Sequence, residues 1–173
     1  MHFTDFLKTT VLLMAGEATA LGAIAIVTAA TSGETFVLVQ ALAFITLAGI
    51  AGALAGRRTK AGTGISTLLA DARTESALPP IEPASILVNR LWPLAPYVLL
   101  FAGASFVYPQ VTGIGAAFLI FQALAWRKQE KAVTAIEERD GARFYVVGGS
   151  PFRRIQLVRT VGMRRVTSLN GAP

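Results

Sequence analysis

The chain has 173 residues, of which 53% are hydrophobic and 15% charged, whereas soluble domains have charged fractions of about 25%. This composition excludes an ordinary soluble domain and predicts an integral membrane protein. The absence of cysteine excludes disulfides and thiolate metal sites. The only histidine, His2, is interpreted as a solvated terminal side chain, so neither a metal ion nor another cofactor is expected.

Two membrane-spanning helices are predicted in the first third of the chain. Between residues 9 and 56 the only charged side chains are Glu17 and Glu34. Because about 20 apolar residues cross the hydrocarbon core as a helix, spans are predicted over about residues 7–30 and 36–56. A cleaved signal peptide is the alternative for the first span, but its length and Glu17 favour a retained helix.

Small residues recur at helical spacing on one face of each of these helices. Faces of this kind let helix backbones approach closely in lipid. The sequence therefore predicts that the first helix packs on the second, and an oligomer interface is the alternative. The two faces are Ala15, Ala18, Gly22, Ala25 and Ala29, and Ala41, Ile45, Ala48, Gly52 and Gly56.

Residues 57–90 are predicted to form a loop between spans. Thr63 is a candidate cap for a short amphipathic helix whose apolar residues, such as Ile65 and Leu69, would lie on the membrane surface. The proline-rich residues 78–83 are predicted to be an extended connector.

Two further spans are predicted over residues 91–108 and 111–126, each roughly 25 Å long at 1.5 Å per residue. Such short helices must stand nearly upright or thin the bilayer, and a re-entrant hairpin is the alternative. Trp92 and Trp126 flank one side and Tyr108 the other, which is typical of the aromatic belts of helices that cross fully.

Residues 127–173 are predicted to be a basic tail. Its first part is expected to continue the preceding helix, which ends at Asp140 and Gly141. Segments 143–147 and 152–161 are predicted strands of a β-hairpin. Because an isolated hairpin is marginal in water, it is expected to lean on the preceding helix, the membrane surface or another protein. Glu137 and its acidic neighbours are interpreted as solvated.

All sixteen lysines and arginines lie on one side of the predicted spans, which predicts that this side is cytoplasmic. The predicted fold is an all-α membrane protein, a four-transmembrane-helix bundle of two helical hairpins in the cell inner membrane. Residues 1–126 would form the membrane domain. Both termini, the 57–90 loop and the small tail of one helix and a β-hairpin would be cytoplasmic.

Glu17 is predicted to lie near the bilayer midplane, where a charged side chain is costly and normally faces a bundle interior or a cavity. Thr46, at matching depth on the second helix, is the first expected hydrogen-bond partner and Gln122 the second. Three interpretations stay open: a proton- or cation-linked site, a salt bridge to a partner subunit, or a neutral glutamic acid that ties two helices together.

The basic residues beside the spans and in the tail are expected to contact anionic lipid headgroups. A protein partner with an acidic face is the second interpretation and a phosphorylated substrate the third, since no glycine-rich phosphate loop opens a helix. Nucleic acid is not an expected partner. These residues are Arg57, Arg58, Lys60, Arg143, Arg153, Arg154, Arg159, Arg164 and Arg165.

No nucleophile elbow and no pair of carboxylates in an apolar setting occurs in the sequence. The leading hypothesis is therefore a non-enzymatic accessory or scaffold subunit of a bacterial inner-membrane assembly, which docks through its basic tail. The alternative is a small homo-oligomeric transporter or channel that uses Glu17. An enzyme acting on a phosphorylated lipid comes third, because it requires arginines of the 57–90 loop and of the tail to converge on one pocket.

Overall fold

The computed structural model describes residues 1–33, 35–57, 61–74, 83–147 and 154–161. Within these ranges the chain is mostly helical, with one small sheet. Five of the basic residues named above, Arg58, Lys60, Arg153, Arg164 and Arg165, lie outside the described residues, as do Glu34, most of the predicted 78–83 connector and the predicted turn of the hairpin.

The first two helices are long and apolar enough to cross a membrane. They are α1 (Phe3–Ser32) and α2 (Thr35–Ala55), and α1 ends at Gly33, whose φ of 69° is the left-handed conformation common after a helix. At 1.5 Å per residue, the 30 residues of α1 extend about 45 Å. Because the hydrocarbon core is only about 30 Å thick, α1 is longer than an upright crossing requires.

Two short helices occupy residues 83–104. The first lies almost wholly within the predicted 57–90 loop, so that part of the loop prediction is wrong, and only the second lies within the predicted third span, residues 91–108. The two helices are α4 (Pro83–Leu91) and α5 (Leu94–Ala104), which bend by 40° at a break that includes Pro93. Proline lacks an amide N–H and disfavours helical geometry in the residue before it, which accounts for the break. The last apolar helix is α6 (Gln110–Trp126), whose 17 residues are fewer than the about 20 expected of a full crossing.

The described residues therefore contain two candidate membrane spans, or three if α4 and α5 together form one. A helical membrane protein is supported, but the predicted four spans are not confirmed.

The main neighbour of both long helices is α6, which packs on α1 and on α2. Gly113 lies against Ala41, and Gly52 lies against the backbone of Phe121. The small face of α2 is thus buried within the chain, but the prediction that it packs chiefly on the first helix is wrong. Small residues on α6, such as Ala116, let its backbone approach the neighbouring helices closely, a role that the prediction gave to α1.

The remaining helices and strands form a second compact unit, which we call the sheet module. The first turns of α1 pack against it. The module comprises α3 (Thr63–Ala70), α4, α7 (Gln129–Asp140), β1 (Arg73–Thr74), β2 (Ala142–Val147) and β3 (Gln156–Val161). The sheet has the order β1-β3-β2, with β1 parallel and β2 antiparallel to β3. The short strand β1 was not expected, and β3 begins four residues later than predicted.

The sheet module has its own apolar core, to which α1, α3, α4, α7 and both long strands contribute. The hairpin therefore leans on helices of the same chain, as one of its predicted alternatives states. The apolar face of α3 packs into this core, so its predicted place on the membrane surface is wrong. The buried core residues are Phe3, Phe6, Leu7, Ile65, Leu69, Ile86, Val133, Phe144, Val146 and Leu157.

Candidate functional site

Glu17 lies in the middle of α1, where its side chain is half-buried near α5 and α6. Its Oε2 atom is buried and accepts no hydrogen bond from any residue that the structure describes. The hydroxyl of Tyr97 interacts electrostatically with the carboxylate and donates a hydrogen bond of 3.3 Å to the carbonyl of Gly115. Glu17 and Tyr97 thus form a polar spot inside the helix bundle.

Within the described residues, the structure shows no hydrogen bond between Glu17 and either of its two expected partners. Thr46 is exposed on α2, and Gln122 is half-buried on α6. Because α6 packs between much of α1 and α2, equal depth on the first two helices does not make Thr46 a neighbour of Glu17. The sequence analysis missed Tyr97, although a tyrosine in an otherwise apolar helix is a signal for a buried hydroxyl that needs a partner.

A second polar cluster joins the N-terminus of the chain to α7 and β2. Oε1 of Glu137 accepts hydrogen bonds from Nε2 of His2 and from the amide of Phe144, both at 2.9 Å. Nδ1 of His2 is hydrogen-bonded to the hydroxyl of Thr4, and Glu137 is only 8% exposed. The interpretations of His2 as a solvated terminal residue and of Glu137 as solvated are therefore wrong.

The order hydroxyl, imidazole, carboxylate in this cluster is that of a hydrolytic triad. However, the side chain of Thr4 is buried and lines neither of the two cavities described next. In addition, the carbonyl of Met1 accepts a hydrogen bond of 2.9 Å from the amide of Val146, so the N-terminus is paired to the outer edge of β2. This arrangement fastens α1 to the sheet and buries the hydroxyl of Thr4.

A cavity of about 580 Å³ opens between the apolar helices α1 and α6 and the sheet module, and we call it the interfacial cleft. Its apolar lining includes Phe6 and Met14 of α1 and Trp126 at the end of α6. A neighbouring cavity of about 260 Å³ shares Leu68, Asp71, Arg154 and Ile155 with it.

The charged residues of the two cavities come from distant parts of the chain. Arg90, Arg154 and Asp71 line the interfacial cleft, and Arg73 lines the smaller cavity. Arginines of the 57–90 loop and of the tail therefore do converge, as the lipid-substrate hypothesis requires. Asp71 is the only carboxylate among the described residues that line the cleft, so this lining does not offer the carboxylate pair typical of acid–base hydrolysis.

The described residues among the predicted basic contacts occupy different environments. Arg57, Arg143 and Arg154 are exposed, and Arg159 is half-buried, with an Nε atom that finds no hydrogen-bond acceptor within the described ranges. Of these four, only Arg154 lines the cleft. Arg90 lines the cleft and Arg73 the smaller cavity. Both belong to the predicted 57–90 loop, and nothing in the linear sequence indicates that they line the same cavities as Arg154.

Among the described residues, no group of three or more histidine, aspartate or glutamate side chains could hold a metal ion. Comparison of the chain with protein-family models, with curated proteins and with solved structures finds no match in any of the three. The roles proposed below therefore rest on the residues of this chain alone.

Proposed function

We propose that the chain is a multi-pass protein of the bacterial inner membrane that serves as a non-enzymatic accessory or scaffold subunit. In this proposal α1, α2, the segment of residues 91–108 that contains α5, and α6 cross the bilayer. Helix α4 stays in the sheet module, and both termini are cytoplasmic. Two to three apolar helices of sufficient length support the membrane location. The confinement of all sixteen lysines and arginines to one side of the apolar segments supports the orientation.

The observation that carries the accessory role is the shared core of α1 and the sheet module. Phe3, Phe6 and Leu7, on the helix that enters the membrane, pack with Val133 and Phe144 of the module. Buried apolar contacts of this kind hold two elements in one fixed arrangement. The chain thus presents a rigid platform next to the membrane. Helices of the same chain bury the apolar side of the β-hairpin, so the hairpin does not need a protein partner in order to be stable.

The exposed face of the platform is basic and suits an acidic partner. Side chains alternate between the two faces of a strand, and the residues of β2 that do not point into the core include exposed Arg143 and half-buried Tyr145. Thr160, which pairs with Arg143 across the sheet, lies on the same face. This face combines a charge, an aromatic ring and a hydroxyl, groups that are common in protein interfaces.

Extraction into native nanodiscs, followed by identification of the co-purifying proteins, tests the accessory role. A defined partner should accompany the wild type and should be lost from the Arg143→Glu variant, because the substitution reverses the charge of the docking face. Lys131→Glu on the exposed side of α7 is the matched control and should retain the partner. Purification of the wild type as a stable monomer without a partner would contradict the proposal.

A second candidate is a small homo-oligomeric transporter or channel, favoured by the buried Oε2 of Glu17 that lacks a hydrogen-bond donor in the described chain. An intramembrane carboxylate with unused acceptor capacity is typical of ion and proton pathways. Glu17→Gln should abolish flux in liposomes, while the matched substitution Glu138→Gln in exposed α7 should leave flux unchanged. No flux in the wild type, or equal flux in Glu17→Gln, would reject this candidate.

A further inference from the structure

The interfacial cleft lies where the apolar helices meet the sheet module, and part of its lining follows α1. Phe6 and Met14, both on the lining, are eight residues apart, which is roughly 12 Å along a helix. Phe6 belongs to the core of the module, and Met14 packs against the cluster of α1, α5 and α6. The cleft therefore runs from the module toward the apolar bundle.

We propose that the interfacial cleft binds one anionic glycerophospholipid from the leaflet on the side of the sheet module. The phosphate would face Arg90 and Arg154, and the upper part of an acyl chain would lie along Met14 and Trp126. The volume of about 580 Å³ falls in the range of about 300–1,000 Å³ usual for sites that bind small molecules.

The charges of the cleft select an anion. Among the described residues that line the cleft there are two arginines and one carboxylate, that of Asp71, and Arg73 adds a third guanidinium in the adjoining cavity. The planar guanidinium of arginine matches a phosphate by donating two parallel hydrogen bonds. Asp71 lies on the exposed surface of its turn, where it can face a hydroxyl or ammonium group of the ligand next to the phosphate.

The apolar part of the cleft selects a lipid over a soluble phosphate. Phe6, Met14 and Trp126 supply apolar lining on two helices that lead into the bundle, with Thr10 between the first two. Tryptophan at the end of an apolar helix is typical of the headgroup level of a bilayer. A soluble anion would leave this lining exposed to water, whereas an acyl chain would cover it.

Titration of delipidated protein with phosphatidylglycerol or phosphatidylcholine, read by native mass spectrometry, measures the binding directly. The wild type should bind one phosphatidylglycerol more tightly than phosphatidylcholine. Arg90→Gln combined with Arg154→Gln should weaken that binding roughly tenfold, because basic residues near an anionic surface each contribute several-fold in affinity. Lys131→Gln combined with Arg139→Gln removes the same charge from exposed positions of α7 and should have no effect.

Gly64→Phe tests the apolar part without removing a charge. Gly64 lines the cleft, and a Cβ atom there would meet nothing within 4 Å, so the backbone at this position has room for a side chain and phenylalanine is expected to narrow the cleft. This variant should also lose phosphatidylglycerol, and its melting temperature should match that of the wild type.

Three results would overturn the proposal. They are equal affinity for the two lipids, full binding by both the arginine double variant and Gly64→Phe, and displacement of the lipid by soluble glycerol phosphate, which would identify a site for free phosphorylated molecules. None of these results depends on a protein partner, so the accessory role can fail while the lipid site stands, and the reverse.

Discussion

Glu137 is the acceptor that joins the N-terminus to the sheet. Its Oε1 atom accepts hydrogen bonds from the imidazole of His2 and from the amide of Phe144. Phe144 lies in the first half of β2. A buried carboxylate that accepts two hydrogen bonds stabilises both donors, and the buried amide of Phe144 has no water as a replacement.

We predict that Glu137→Ala destabilises the protein by about 1–3 kcal/mol, because it leaves the buried amide of Phe144 without an acceptor. Hydrogen–deuterium exchange should show loss of protection in β2 and in the first turns of α1. Glu138→Ala, on the exposed side of the same helix, is the control and should change neither quantity. Unchanged protection in Glu137→Ala would mean that the Phe144 amide finds another acceptor.

The carboxyl of Asp140 at the end of α7 is predicted to titrate below the ordinary range of aspartate. A hydrogen bond of 2.8 Å from Nε of Arg139 lowers the pKa of this carboxyl, partial desolvation opposes the shift, and the charges of Arg139 and Arg159 reinforce it. Because the pKa is lower in the folded protein, the pair stabilises the fold above the ordinary aspartate pKa. This contribution is lost as the pH falls through the folded value.

An NMR titration of the Asp140 carboxyl measures this shift. Arg139→Gln should raise the pKa of Asp140 toward its ordinary value, while Arg127→Gln, at the end of α6, should leave it unchanged. Since both partners are exposed to solvent, screening keeps the effect on stability small. An equal pKa in Arg139→Gln and the wild type would show that the hydrogen bond does not form in solution.

At the scale of single elements, the contact between α2 and α6 depends on glycine. A Cβ atom added at Gly52 would lie 2.8 Å from the carbonyl oxygen of Phe121 and 3.0 Å from its Cα, and one at Gly56 would overlap the backbone of Leu124. Because the obstructing atoms belong to a helix backbone, they cannot rotate away, and the two helices would have to separate.

We predict that Gly52→Ala lowers stability by roughly 1–3 kcal/mol through this overpacking. The matched control is Gly49→Ala on the same helix, where a Cβ would meet nothing within 4 Å. The control should be neutral or slightly stabilising, because alanine favours helices over glycine. The unfolding midpoint in detergent, followed by circular dichroism, measures both variants. Equal midpoints would contradict the close contact of α2 with α6.

At the scale of the whole molecule, the proposed topology places the ends of both predicted hairpins on the outside. The chain contains no cysteine, so single-cysteine variants report each position without background. In intact cells, an impermeant maleimide should label Thr31→Cys and Tyr108→Cys, both exposed positions. It should label Glu138→Cys only after the membrane is permeabilised.

Two outcomes of the labelling experiment would change the topology. Labelling of Glu138→Cys in intact cells would reverse the orientation. Protection of Tyr108→Cys together with labelling of Thr31→Cys would establish the re-entrant alternative for residues 91–126, because only the first pair of helices would then cross. The 40° bend between α4 and α5 makes this second comparison informative.

The sequence by itself determined the features that depend on composition and on short-range patterns. Apolar length predicted α1, α2 and α6 nearly to their ends, because a helix in lipid must satisfy its backbone hydrogen bonds internally. The end of α7 at Gly141 was also predicted, since glycine adopts the left-handed conformation there at φ 59°. The small face of α2 was identified, although its partner helix was not.

Only the tertiary structure decided which distant residues meet. The pairing of His2 with Glu137 and the convergence of Arg90 and Arg154 on one cleft join residues that lie far apart along the chain. Such contacts depend on helix packing, and packing depends on shape complementarity that spacing along one helix does not encode. For the same reason, the sequence did not indicate that α6 packs on both α1 and α2. This packing determines the environment of Glu17.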